Sequence, residues 1–212
     1  MVVDKYFYNE NYYYGDDGQY VNLAKKNGYN DDMILRAATL LKIFNPKSVL
    51  ELGAGTGQLI EIMITNGVDA TGIDISEFAT KDKGYMICGD ASEVDYPEAD
   101  VVCSFDLLEH LTIEQIDKVL EKCKNFPSIF LSISVAYEDY GDVTLLPNMD
   151  KSHISMLPHE WWVKKIFGVY CNSHYITMMT RKDYVYEDYG KYKFTNVNFM
   201  MTDDVLNKLQ II

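Results

Sequence analysis

The chain has 212 residues, enough for one sizeable hydrophobic core but short for two full domains. Its 32 acidic and 19 basic residues give a formal net charge of −13, which argues against nucleic acid and anionic membranes as partners because a polyanion is repelled at long range. Neither a signal-peptide pattern nor an apolar run of about 18 residues is present, so we expect a soluble, cytoplasmic protein.

The first 30 residues are rich in tyrosine. They contain seven of the 17 tyrosines, and they lack helix or strand periodicity until about Asp31. Tyrosine is too apolar to stay solvated in such numbers, so we predict a lid that folds over a bound ligand, with Tyr13, Tyr14 or Tyr20 close to it. As an alternative, the tyrosines cover the edge of a sheet or the interface of a homodimer.

Beyond the tyrosine-rich segment, short apolar runs alternate with stretches of helical periodicity. The run at 128–136 has no charged residue, as expected of a central parallel strand that is covered on both faces. Thr112 and Gln115 form a capping-box pattern that begins a helix. Strands separated by helices predict an α/β fold with a doubly wound parallel sheet. The predicted strands are 48–52, 69–75, 85–90, 99–106, 128–136 and 196–201.

A glycine-rich loop, VLELGAGTGQL at 49–59, follows the first predicted strand. Such loops bring the backbone close to a nucleoside triphosphate, a dinucleotide or S-adenosylmethionine. A phosphate-binding loop needs a lysine that is missing after Gly57, and the dinucleotide pattern GxGxxG fails because Gln58 stands at its sixth position. Asp74, at the end of the second strand, is placed to accept hydrogen bonds from two ribose hydroxyls.

Four segments together, ELGAGTGQL, GIDIS, GDA and SFDLLEHL, resemble the class I S-adenosylmethionine-dependent methyltransferases. The resemblance covers about residues 45–136. It implies a Rossmann-like methyltransferase fold with a mostly parallel, seven-stranded sheet, and S-adenosylmethionine as the methyl donor. A row of acids at strand ends also suits a ligand with a cationic sulfonium and an ammonium group.

The resemblance assigns a role to each matching position. Gly53 and Gly55 bring the backbone against the methionine part of the cofactor, and Glu51 supports its ammonium group. Asp74 binds the ribose hydroxyls, and Asp90 accepts the adenine amino group, although a strand-end aspartate can instead cap the next helix. The resemblance further places Ile75 and Ala91 beside the adenine, and Phe105 and Asp106 where the methyl group is presented. The lid hypothesis, not the resemblance, adds Tyr14 to the positions near the cofactor.

Two histidines are candidates for the general base that a hydroxyl acceptor needs. His153 lies three residues after Asp150, a spacing that allows a carboxylate–imidazole pair. The D-x-x-H pattern followed by HEWW resembles a segment of small-molecule methyltransferases that act on sugars and related metabolites. His110 is the second candidate. As an alternative, His153 is an ordinary loop histidine that binds a backbone carbonyl.

A metal site is a further hypothesis for the segment after the fourth strand. Asp106, Glu109 and His110 resemble the E-x-x-E-H segment that binds a divalent metal in some quinone-type O-methyltransferases. These three side chains could ligate magnesium if one more acidic ligand came from elsewhere. Alternatively, Glu109 and His110 only orient the loop and cap the next helix.

We therefore predict an S-adenosylmethionine-dependent methyltransferase that acts on a hydroxyl or amine of a small metabolite, with a sugar among the candidates. A catalytically silent cofactor-binding regulator and a protein-directed methyltransferase are the alternatives. The intact acids and the polar stretch after the fifth strand favour the enzyme. The absence of repeats and linkers predicts a single domain at 1–212, with a lid at 1–30, a cofactor-binding core at 31–136, and an acceptor-side loop, helix and final strands at 137–212.

Overall fold

The computed structural model describes residues 5–15, 29–136, 152–180 and 194–203. A 3-10 turn spans Leu108–His110. The helices are α1 Glu10–Tyr14, α2 Asp31–Phe44, α3 Gln58–Thr65, α4 Glu77–Thr80, α5 Ile113–Cys123 and α6 His159–Tyr170. The strands are β1 Ser48–Leu52, β2 Asp69–Asp74, β3 Met86–Cys88, β4 Val101–Phe105, β5 Ser128–Ala136, β6 Tyr175–Thr180 and β7 Phe194–Thr202.

The seven strands form one sheet in the order β3-β2-β1-β4-β5-β7-β6. The pairs β1–β2 and β2–β3 are parallel, whereas β7 is antiparallel to both β5 and β6. This sheet confirms the predicted doubly wound, mostly parallel, seven-stranded fold. The crossover helices α3 and α4 follow β1 and β2, as parallel neighbours require.

The described residues divide into two compact units, the first within 5–103 and the second within 104–203. In the first unit, Leu50 and Leu52 of β1 and Ile60 of α3 are fully buried. In the second, Leu131 of β5 and Trp162 of α6 are fully buried. Each such side chain stabilises its unit by about 1.5–3 kcal/mol relative to an exposed position.

Side chains cap the N-terminal ends of α2 and α5. The Asn30 side chain accepts a hydrogen bond from the Asp32 N–H at the start of α2. Thr112 and Gln115 form both bonds of the capping box that the sequence predicts for α5.

Within the described residues, no helix combines the length and the apolar character that crossing a membrane requires.

Candidate functional site

In the first unit, the glycine loop presents bare backbone at the end of β1. Gly53, Gly55 and Gly57 have φ angles of 72°, 53° and 76°, in the left-handed region that favours glycine. The N–H groups of Gly53 and Ala54 both donate to the Ile73 carbonyl, at 2.8 and 3.0 Å, and so fix the loop against β2. Among the described residues, a Cβ atom at Gly55 would meet only the ring of Tyr13, at 3.7 Å.

Asp74 links the end of β2 to the glycine loop. Its Oδ2 accepts a hydrogen bond from the Gly55 N–H at 2.7 Å, and its Oδ1 accepts one from the Ser76 N–H at 2.9 Å. The Tyr13 hydroxyl bonds to the same carboxyl group. Burial raises the pKa of Asp74 to about 6, although these three hydrogen bonds oppose the shift. Three donors therefore already converge on the carboxylate that the sequence assigns to the ribose.

Glu51 is a buried acid in β1. It is 3% exposed, and within the described part of the chain its Oε2 has no hydrogen-bond partner. Burial raises the pKa of Glu51 to about 8, an effect that Arg36 opposes and Asp74 reinforces. A buried carboxyl oxygen without a partner costs free energy, and a cationic group of a ligand would offset that cost.

The remaining cofactor candidates of the first unit differ in their surroundings. Asp90 Oδ1 accepts a hydrogen bond from the Ser92 N–H at 2.8 Å and so fixes a turn, and no helix for it to cap begins among the described residues between β3 and β4. Ala91 is buried, and its carbonyl accepts a hydrogen bond from the Tyr96 hydroxyl at 2.7 Å. Ile75 is half-buried directly after Asp74. The adenine roles of these residues stay predictions.

The described part of the tyrosine-rich segment packs against the loop and helix that follow β2. Tyr13 is 3% exposed and stacks on Phe78 at 6.1 Å between ring centroids, whereas Tyr14 contacts Phe78 edge-on at 6.0 Å. The Ser76 hydroxyl donates to the Tyr8 carbonyl. Of the three candidate tyrosines, Tyr13 reaches both Gly55 and Asp74, and Tyr20 lies outside the described residues.

In the second unit, β5 holds the last residue of β4 and the residue that follows it. Phe105 is buried, with its ring 5.4 Å from that of Phe130. Asp106 has a φ of 55°, its N–H donates to the Ser132 carbonyl at 3.0 Å, and its Oδ1 accepts a hydrogen bond from the Ser134 hydroxyl at 3.4 Å. These bonds hold the short segment that leads into the 3-10 turn.

Glu109 is fully buried in the 3-10 turn. Its Oε1 accepts a hydrogen bond from the Ser134 N–H at 3.2 Å, and its Oε2 has no hydrogen-bond partner within the described residues. Burial raises the pKa of Glu109 to about 8, and the nearby negative charge of Asp106 adds to the shift. Glu109 is thus a second buried acid with an oxygen that no described group satisfies.

The segment 152–155 is bound to the same turn. The Glu109 carbonyl accepts hydrogen bonds from the N–H groups of Ile154 and Ser155, at 3.0 and 2.9 Å. The Ser155 hydroxyl donates to the Leu111 carbonyl at 2.6 Å. Backbone and side-chain hydrogen bonds therefore place His153, which lies between Ser152 and Ile154, beside the 3-10 turn.

The two candidate histidines meet at this place. The ring centroids of His110 and His153 are 4.5 Å apart, and His110 Nδ1 is 2.8 Å from the Ser152 hydroxyl. One ligand atom each from Glu109, His110 and His153 lie within 4.8 Å of one another. The sequence grouped Glu109 and His110 with Asp106 and paired His153 with Asp150, so this trio was missed. Asp150 lies outside the described residues.

The other two histidines, His159 and His174, lie outside the Glu109–His110–His153 group. His174 Nε2 is 2.9 Å from the Phe126 carbonyl, and its Nδ1 is 2.9 Å from the Ser173 hydroxyl. His159 is the first residue of α6.

Comparison with known families identifies the chain. A family model described as a methyltransferase domain matches residues 23–165, more than half of the sequence. The chain belongs to this methyltransferase family. The match and the fold confirm the predicted class I S-adenosylmethionine-dependent methyltransferase, an enzyme with S-adenosylmethionine as its cofactor. A search of curated protein sequences found no significant match.

Solved structures share the fold of this methyltransferase. A SAM-dependent methyltransferase from Archaeoglobus fulgidus has 17% identity and a TM-score of 0.56, with 80% of this chain and 94% of that chain covered. Magnesium protoporphyrin IX methyltransferase from Synechocystis, solved with bound SAH, has 16% identity, a TM-score of 0.59 and coverages of 94% and 100%. Phosphoethanolamine N-methyltransferase 2 from Haemonchus contortus, in complex with S-adenosyl-L-methionine, has 12% identity, a TM-score of 0.61 and coverages of 92% and 59%.

Proposed function

We propose that this methyltransferase transfers the methyl group of S-adenosylmethionine to a hydroxyl of a small metabolite. The proposal depends on one observation, the grouping of His110 and His153 with the buried carboxyl of Glu109. A hydroxyl needs help to lose its proton, whereas an amine acceptor is already nucleophilic when neutral. An imidazole pair beside a carboxyl group is therefore better suited to an oxygen acceptor than to an amine.

The protein mainly has to align the acceptor oxygen with the methyl carbon, because the sulfonium is already an activated methyl donor. The acceptor oxygen forms a bond to the methyl carbon as the carbon–sulfur bond breaks. The sulfur keeps the electron pair and becomes the thioether of S-adenosylhomocysteine. The hydroxyl proton passes to an imidazole nitrogen of the His110–His153 pair.

Two buried acids of the first unit support the cofactor part of this proposal. Glu51 offers its unpartnered oxygen to the ammonium group, because that oxygen is buried and has no hydrogen-bond partner in the described residues. Asp74 offers acceptor capacity to the ribose hydroxyls beside the open backbone of Gly55. For Asp90, the contact with adenine rests on the resemblance alone, because its observed bond from the Ser92 N–H is a local turn contact.

The test replaces one imidazole. His110→Ala should lower the turnover number by about 10²-fold or more, the range that a positioned acid–base group contributes, while the dissociation constant for S-adenosylmethionine changes less than twofold. His159→Ala, outside the group, serves as the matched control. Turnover is measured as S-adenosylhomocysteine formed with a panel of sugars, other hydroxylated metabolites, amines and peptides.

Three results would overturn the proposal. Full turnover by His110→Ala would remove the imidazole from the reaction. A preference for amines or peptides within the panel would remove the small hydroxyl acceptor. Tight cofactor binding with no S-adenosylhomocysteine formed by any member of the panel would instead favour the silent regulator.

A further inference from the structure

We infer that Lys83 is a positioning residue for the cofactor: its ammonium group fixes the glycine loop and keeps the Asp74 carboxylate charged for the ribose. Lys83 lies in the connection between α4 and β3, outside the four segments that carry the resemblance. The inference deepens the proposed function, because it rests on the proposed contact between Asp74 and the ribose. Its test measures cofactor binding alone and needs no methyl acceptor.

The half-buried side chain of Lys83 reaches the glycine loop. Its Nζ donates a hydrogen bond to the Thr56 carbonyl, in the middle of the loop. Thr56 lies between Gly55 and Gly57, which have left-handed φ angles of 53° and 76° and leave the backbone free to adopt many conformations. A hydrogen bond from a charged donor is about twice as strong as a neutral one, so Lys83 limits the movement of the loop where the glycines would otherwise allow it.

Asp74 binds the same loop one residue earlier. Its Oδ2 accepts a hydrogen bond from the Gly55 N–H at 2.7 Å. A carboxylate thus holds the N–H of Gly55, and an ammonium group holds the carbonyl of Thr56. Because two successive residues are fixed by opposite charges before a cofactor arrives, less conformational entropy is lost when the cofactor binds.

The backbone near Lys83 is itself fixed. The Lys83 N–H donates to the Thr80 carbonyl at 3.3 Å, and the Met86 N–H donates to the Lys83 carbonyl at 3.0 Å. Two residues after Lys83, the Tyr85 hydroxyl donates to the carboxyl group of Glu61, in the first turn of α3. These bonds keep the connection against α3, so the Lys83 ammonium group is held at the glycine loop.

The ammonium group of Lys83 also faces two acids. Partial burial lowers the pKa of Lys83, and the negative charges of Glu61 and Asp74 oppose that shift. Burial raises the pKa of Asp74 to about 6, and the positive charge of Lys83 is among the influences that oppose the rise. Lys83 therefore favours the charged carboxylate, the form in which both oxygens of Asp74 accept hydrogen bonds.

The experiment is calorimetric titration of S-adenosylmethionine into the full-length protein near neutral pH. Lys83→Met removes the charge and the donor but keeps a side chain of similar length, and it should weaken binding by about tenfold, the effect of one charge-assisted hydrogen bond. Lys83→Arg keeps both and should bind within about threefold of the wild type. Lys81→Met, at an exposed position two residues earlier, is the matched control and should leave the affinity unchanged.

The pH dependence of the affinity separates an effect on Asp74 from support of the loop alone. Affinity should fall as pH drops through about 6, because the protonated carboxyl accepts fewer hydrogen bonds. Without the charge of Lys83 the pKa of Asp74 is higher, so the fall should begin at a pH higher by about half a unit or more in Lys83→Met. Glu51 and Tyr13, the other titratable groups that face Asp74 among the described residues, are the same in both proteins.

Thermal unfolding without cofactor shows whether each variant folds. If Lys83→Met does not fold, Lys83→Gln decides, because it keeps a hydrogen-bond donor without the charge and should move the pH dependence in the same direction. A loss of affinity that is equal at every pH would overturn the role of Lys83 toward Asp74. Wild-type affinity in Lys83→Met, or an equal loss in Lys83→Arg, would overturn its role toward the loop.

Asp74→Ala, titrated in parallel, distinguishes failure of this inference from failure of the proposed cofactor site. Weak binding by Asp74→Ala together with wild-type binding by Lys83→Met would refute the role of Lys83 alone. Wild-type binding by Asp74→Ala would refute the ribose contact on which the inference rests.

Discussion

At the scale of single residues, two buried carboxyl oxygens mark the two candidate sites. Glu51 Oε2 and Glu109 Oε2 are both buried without a hydrogen-bond partner in the described residues. Their sequence contexts differ: Glu51 lies in a motif whose resemblance assigns it to the cofactor, whereas the sequence groups Glu109 with Asp106 and His110 as candidate metal ligands. Burial raises the pKa of each to about 8, so each is mostly protonated at neutral pH until a cation arrives.

The raised pKa of Glu51 predicts that cofactor binding releases protons near pH 7. The ammonium group favours the carboxylate, so it lowers the pKa of Glu51 from about 8 and the proton leaves. Calorimetric titration with S-adenosylmethionine in buffers of different ionisation enthalpy measures this release. We expect a release that Glu51→Gln reduces. An equal release in that variant would show that the proton comes from another group.

The same shift predicts how the stability of the cofactor-free protein depends on pH. Between pH 4.5 and about 8, Glu51 is charged in the unfolded chain and neutral in the folded one, so the free energy of unfolding falls as pH rises. The slope from one such group is about 1.4 kcal/mol per pH unit. Urea unfolding at pH 5, 6.5 and 8 should show a shallower fall for Glu51→Gln, and identical slopes would contradict the buried neutral acid.

At the scale of elements, the Asp74 carboxylate accepts hydrogen bonds from both α1 and the glycine loop. A carboxylate offers about four lone-pair positions, and Gly55, Ser76 and Tyr13 already donate to it. Two ribose hydroxyls would exceed that capacity. Gly55 and Ser76 donate from the backbone, so the Tyr13 hydroxyl is the donor that can leave when a ribose binds.

Tyr13→Phe should therefore tighten S-adenosylmethionine binding by about two- to tenfold, the worth of one net hydrogen bond. Calorimetry gives the two dissociation constants directly. Tyr14→Phe is the matched control, because Tyr14 contacts Phe78 rather than Asp74 in this structure. Weaker binding by Tyr13→Phe would instead show that its hydroxyl is a direct ligand of the cofactor.

The elements themselves were largely predictable from local patterns. Thr112 and Gln115 predicted the start of α5 because a capping box depends on residues three apart, and the uncharged run at 128–136 predicted β5. The lid role of the tyrosines stays a prediction. Choosing Tyr13 over Tyr14 needed the structure, since neighbouring positions in α1 point in different directions and the sequence does not give the rotation of so short a helix.

At the scale of the whole molecule, the limit of sequence reasoning lies in contacts between distant segments. The cofactor motif was recognisable because Glu51, Gly53 and Gly55 are close in sequence and Asp74 ends the next strand. The trio of Glu109, His110 and His153 was not, because His153 lies beyond a long polar stretch whose path no local pattern sets. The hydrogen bonds from the N–H groups of Ile154 and Ser155 to the Glu109 carbonyl place His153 beside the other two.

The most direct test of the account is calorimetric titration of S-adenosylmethionine into the wild type and Asp74→Ala. Asp69→Ala, an exposed acid at the other end of β2, is the matched control. The account predicts one cofactor per chain, an affinity at least about tenfold lower for Asp74→Ala because charge-assisted hydrogen bonds are lost, and no change for Asp69→Ala. Equal affinity of Asp74→Ala and the wild type would contradict the assignment of this site to the methyl donor.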